Sequence, residues 1–152
     1  MKKKRSARLG VVLELEERKK KQADKFLADH IKRVENDKVQ LVQLETYLTE
    51  YQQQYQQTCQ QGISVQSLNS YQAFMLKVSN VIEEHKKSMK VNEEQLTNVR
   101  VFWSKTYARY NAVDSLINNI KKKEELADEK AVQKMIDETS MQNSVRIRSL
   151  LN

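Results

Sequence analysis

The sequence predicts an all-α fold, an antiparallel two-helix coiled-coil hairpin with its turn near Gly62, on three observations. Proline is absent and Gly62 is the one glycine beyond residue 10. Lys, Glu, Gln, Leu and Ala, which favour helix, are abundant. Apolar residues recur at alternating intervals of three and four, the spacing of a coiled-coil seam.

The first helix is expected over about 9–60. Its seam reads Leu27, Ile31, Val34, Leu41, Leu48 and Tyr55, with Lys38 interrupting it. Upstream, Leu9, Val12, Leu13, Leu15, Ala23 and Phe26 are diluted by charge, so this part is expected to pack less tightly. On a helical wheel Leu44, Tyr51 and Tyr47 lie progressively to one side of the seam and form a second stripe. Such a stripe either flanks the seam with wet hydroxyls or docks a partner.

The turn is expected over about 61–64. Glycine accepts the left-handed backbone that closes a helix, and Ser64 supplies an N-cap for the next one. Ile63 and Leu68 fall at the N′ and N4 positions, whose contact sets the entry angle of the chain. Two long helices joined so briefly lie side by side, because each has an apolar stripe to cover.

The second helix, expected over about 65–145, has the clearest period. Leu68, Tyr71, Met75, Val78, Ile82, His85, Met89, Asn92, Leu96, Val99, Trp103, Thr106, Tyr110, Val113, Ile117 and Ile120 alternate by three and four. His85, Asn92 and Thr106 are the polar members, and isolated polar residues in a seam set register. Phe74 and Val81 form a partial second stripe beside it. Folding at Gly62 sets Leu9 opposite the region of Leu116, so residues beyond about Ile120 are expected to lack an internal partner. The chain is read as one coiled-coil domain over 1–152.

Composition and charge narrow the function classes. Apolar residues make up 39% and charged residues 31%, too little apolar matter for a thick globular core. No apolar run is long enough to span a bilayer. The basic start MKKKRSARLG leads into LGVVLELEERKKK and not into a cleavable apolar segment, so secretion by that route is not expected. The single cysteine, Cys59, fits a reducing compartment, and the expected location is the cytosol. Of the net charge of +7, nearly all the excess lies in residues 1–21, with nine cationic against three acidic side chains. That end can steer toward acidic protein, anionic lipid or nucleic acid, and charge alone does not choose.

Nothing in the sequence assembles an active site. His30 and His85 lack the second ligands of a metal site, and Cys59 has no histidine at short spacing. No glycine-rich nucleotide-binding pattern is present. The expectation is a protein without catalytic activity and without a cofactor.

The order of several short motifs resembles the flagellar FliJ family over about residues 10–120. They are LETYLTEY with Tyr47 and Tyr51, QQGIS with Gly62 and Ile63, and NSYQAF with Asn69, Tyr71, Gln72 and Phe74. IEEH with Ile82, Glu83 and His85 follows, then Trp103 and a seam ending in a basic cluster. The resemblance implies a stalk and chaperone protein of the bacterial type III export apparatus, used in flagellum biogenesis and motility. Its helix ends would enter the pore of a hexameric export ATPase and promote ring assembly. A surface along the coil would engage the cytoplasmic domain of the export gate FlhA.

Carried over by position, the implied gate surface is Gln40, Leu44, Tyr47, Tyr51, Phe74, Val78, Val81 and His85. The implied ATPase contacts are Arg18, Lys19, Lys20, Lys21, Lys121, Lys122 and Lys123. Export chaperones are further implied partners. Membrane association at the flagellar basal body, on the inner membrane's cytoplasmic face, would be peripheral and made through partners. Two alternatives stand beside this reading: the equivalent stalk of a virulence type III secretion system, and a basic coiled-coil scaffold binding nucleic acid through residues 2–21.

Overall fold

A computed structural model describes residues 2–152. They form two α-helices, α1 over Arg5–Gln61 and α2 over Val65–Leu151, with no strand among the described residues. The helices pack against each other as an all-α hairpin.

The turn is built as its residues require. Gly62 has φ of 87°, where an L side chain is strained, and its N–H donates to the Cys59 carbonyl at 3.2 Å, tightening the last turn of α1. A Cβ on Gly62 would meet nothing within 4 Å, so backbone conformation and not crowding selects glycine here. Ser64 caps α2. Its hydroxyl oxygen accepts the Ser67 N–H at 3.2 Å, and its carbonyl accepts the Leu68 N–H at 3.0 Å. Ile63 and Leu68 are both half-buried, in keeping with their staple positions.

Packing divides into two compact units, each containing part of both helices. The first is Lys21–Lys105. In it Ala23, Val34, Val78, Ile82 and Val99 are buried, with Leu27, Leu41, Leu48, Met89 and Leu96 half-buried among the seam positions. The polar residue of the α1 seam is not Lys38, which is exposed, but Asp37. Asp37 is tolerated because α2 supplies donors. The His85 Nε2–H donates to its carbonyl at 2.8 Å and the Asn92 amide to its carboxylate at 2.7 Å. A carbonyl only accepts, so this bond places the proton of His85 on Nε2. Nearer the end of this unit, the Trp103 indole N–H donates to the Asp24 carboxylate at 2.8 Å.

The second unit joins the chain up to Lys20 with Thr106–Asn152. Ile117 and Ile120 are its buried apolar residues, and beside them Ser6, Glu16 and Thr106 are buried although polar. α1 begins four residues before the expected Leu9, because its first turn is held from across the seam. Glu124 accepts the Ser6 N–H at 3.1 Å and the Ser6 hydroxyl at 2.6 Å, satisfying donors that a helix N-terminus leaves unpaired. Lys4 pairs with Asp128 at 2.6 Å. The expectation that α2 lacks a partner beyond Ile120 is therefore corrected: cross-helix contacts continue to Asp128. Residues 129–151 of α2 remain helical and exposed.

Candidate docking surface

Within the 21–105 unit, tyrosines four apart on α1 meet two rings of α2. Tyr47 and Tyr51 stack at 6.4 Å between centroids, and Phe74 lies 4.7 Å from Tyr51 and 6.3 Å from Tyr47. Tyr71 extends the cluster, 5.3 Å from Tyr51 and 5.6 Å from Tyr55. The Gln72 amide donates weakly to the Tyr55 hydroxyl at 3.4 Å. Offset and edge-on rings hold each other's orientation, which makes the cluster a pre-shaped surface rather than a set of loose side chains. Burial pushes the Tyr51 phenol above its ordinary pKa, with Tyr71 and Tyr47 adding to the shift.

The eight implied gate residues do not share one degree of exposure. Gln40, Tyr47 and Val81 are exposed, Leu44, Tyr51, Phe74 and His85 are half-buried, and Val78 is buried. Leu44 and Tyr51 thus pack between the helices, where the wheel set them to the side. The same residues complete the seam and form the floor of the surface. Tyr47 and Val81 rise from it.

The implied ATPase residues are more dispersed. Arg18, Lys19 and Lys21 are exposed, as are Lys121, Lys122 and Lys123. Lys20 is instead half-buried, with its ammonium 4.9 Å from the Tyr107 ring centre and 4.4 Å from that of Tyr110. Lys19 lies 3.6 Å from Glu16. Lys20 is level with Tyr110, and Lys121 stands eleven residues further along α2, about 16 Å away by helical rise. Within this unit Arg18, Lys19 and Lys20 do not merge with Lys121–Lys123 into a single patch.

Sequence reasoning missed Asp37 as the acceptor that His85 and Asn92 share, and Tyr55 and Tyr71 as neighbours of the gate residues. The three-four spacing carries the signal for all four, since 37, 55, 71 and 92 each fall in step with it. Cys59 is free and exposed, and among the described residues no group of His, Cys, Asp and Glu is placed to hold a metal ion. Depressions over residues 132–140 and 141–149 are each lined from α2 alone. No helix is long and apolar enough to cross a membrane among the described residues.

These features define a class, the all-α helical hairpin that presents side chains from two long packed helices. The family model described as Flagellar FliJ protein matches residues 5–149, and the chain belongs to that family. It is accordingly a protein related to flagellar type III export. No curated protein and no solved structure gives a match.

Proposed function

We propose that this protein is a non-enzymatic stalk and coupling component of the flagellar export apparatus. The unit holding both chain ends engages a hexameric export ATPase and promotes its ring assembly, through Arg18, Lys19 and Lys121–Lys123 above all. The aromatic surface of the 21–105 unit engages the cytoplasmic domain of the gate FlhA, and thereby couples ATPase to gate. Export chaperones are a further class of partner, and peripheral association with the inner membrane at the basal body follows from these contacts.

The observation that carries this reading is the half-exposed ring cluster. Tyr47 is 49% exposed while its ring rests on Tyr51 and Phe74, so a large rigid side chain is held out of the seam at a fixed angle. Aromatic side chains held this way are typical anchors of protein interfaces.

Two measurements test the two contacts. Tyr47→Ala is expected to weaken binding to the FlhA cytoplasmic domain by about tenfold or more, the scale of an aromatic anchor, with thermal melting almost unchanged. Undiminished binding would remove Tyr47 from the interface. Turnover and oligomer size of the export ATPase are expected to rise when the full chain is added. An absence of both effects would refute the stalk role, and salt-steep binding to DNA or RNA in its place would favour the basic scaffold.

A further inference from the structure

The start of α1 carries a face that neither the seam nor the ring cluster uses. On the helical wheel Arg8, Val11, Val12, Leu15, Arg18 and Lys19 fall within one outward arc. Val11 is 69% exposed, Val12 41% and Leu15 51%, and the three cationic residues are exposed as well. The three acids of this segment lie outside the arc: Glu14 stands at its border, Glu17 is exposed on the side of the helix opposite Arg8, and Glu16 is buried in the seam. Along the axis the aliphatic residues lie between Arg8 at one end and Arg18 and Lys19 at the other, with Glu14 only at the border, and exposed aliphatic residues flanked by cations suit a helix that lies on an anionic bilayer.

We propose that the outward face of α1 from Arg8 to Lys19 binds the surface of anionic membranes directly, with phospholipid headgroups as its ligand. Arg8, Arg18 and Lys19 reach the phosphates while their methylene stems lie along the acyl boundary, and Val11, Val12 and Leu15 enter that boundary. The charge distribution is suited to this. The unit containing this face holds sixteen cationic and ten acidic side chains, against eleven and ten in the 21–105 unit. Nucleic acid is a poorer match, because exposed aliphatic residues contribute nothing to phosphate contacts and the segment has no aromatic ring on which a base could stack. The face goes beyond the gate and ATPase contacts proposed above. It shares Arg18 and Lys19 with the latter, so lipid and ATPase occupy the segment in turn.

The test is co-sedimentation of the full chain with vesicles of phosphatidylethanolamine and phosphatidylglycerol, beside vesicles of phosphatidylcholine alone, across a salt series. Binding is expected to the anionic vesicles only and to weaken as salt rises. Val11→Ser with Leu15→Ser, which keeps every charge, is expected to reduce binding about tenfold and to leave the circular dichroism spectrum unchanged. Equal binding to both vesicle types, no binding to either, or full affinity of the double serine variant overturns the proposal. Preference for an oligonucleotide or an acidic protein over the vesicles in the same assay also overturns it. No ATPase or gate protein enters the assay, so its outcome is independent of the stalk reading.

Discussion

The two units of this hairpin use one seam spacing for opposite ends. In Lys21–Lys105 the seam is apolar and aromatic, and its polar members are paired across the helices: Asp37 with His85 and Asn92, and Asp24 with Trp103. In the unit holding the chain ends, the same positions carry Ser6, Glu16, Lys20, Thr106 and Glu124. Glu16 is only 6% exposed, and its Oε2 has no hydrogen-bond partner. A buried acceptor left without a donor costs about 1–3 kcal/mol. Helices that pack through such positions gain less per turn, so this unit is the one expected to open first in native-state hydrogen exchange. A coiled coil can therefore keep an unbroken period while the gain from packing differs along its length. The difference suits the proposed roles, a rigid docking surface in one unit and a charged, more readily remodelled segment in the other.

The sharpest way to break the comparison is to weaken the stronger unit. Ile82→Ala removes a side chain that is 5% exposed and is expected to cost about 2–5 kcal/mol in urea denaturation. Exchange protection should then fall across 21–105. If protection fell only around residues 5–20, Ile82 would not support the unit it lies in and the contrast between the two units would fail.

A smaller effect of opposite sign is expected from Glu16→Leu. Removing a carboxylate with one unsatisfied buried oxygen and adding apolar surface there should stabilise the terminal unit by about 1–3 kcal/mol, at the loss of one weak pair with Lys19. Slower amide exchange in residues 5–20 would show it. A loss of stability would mean that Glu16 has a role in the fold that its lone oxygen does not suggest.

The smallest effect is one of pH. The Ser6 hydroxyl, then the Ser6 N–H, hold the Glu124 carboxyl below its ordinary pKa. A group whose folded pKa is depressed contributes stability above its unfolded pKa and loses it as pH falls through the folded value. The first turn of α1 should therefore fray on acidification below about pH 4, the ordinary range of a glutamate, and Ser6→Ala, which removes the hydroxyl but keeps the N–H, should weaken that dependence. Exchange of the amides near Ser6, followed against pH in both forms, decides it. An unchanged acid response in Ser6→Ala would place its origin in other carboxylates.

Much of this architecture was legible in the residues. Every α2 seam position from Leu68 to Ile120 is buried or half-buried, since a strict three-four alternation leaves a helix one face to cover. The turn was equally plain, because Gly62 and Ser64 act through their own backbone and hydroxyl. The candidate docking surface was only half legible. Tyr47, Phe74 and Val81 followed from the wheel, but Leu44 and Tyr51 were set outside a seam that in fact includes them. The spacing puts the polar interruption at Lys38, whereas Asp37, one residue before it, occupies the seam. A wheel drawn from apolar residues alone shifts when polar residues occupy seam positions.

By itself the sequence determined the helical period, the site of the turn and the crowding of positive charge toward one end, because each depends on residues close together in the chain. Only the tertiary structure decided which polar side chains of α1 enter the seam. Ser6 is admitted by Glu124, Asp37 by His85 and Asn92, and Lys20 by Tyr107 and Tyr110. The physical reason is that a polar group can be buried where a partner satisfies it. Those partners stand on the other helix, dozens of residues away, and spacing along one helix does not say which residue of the other it meets.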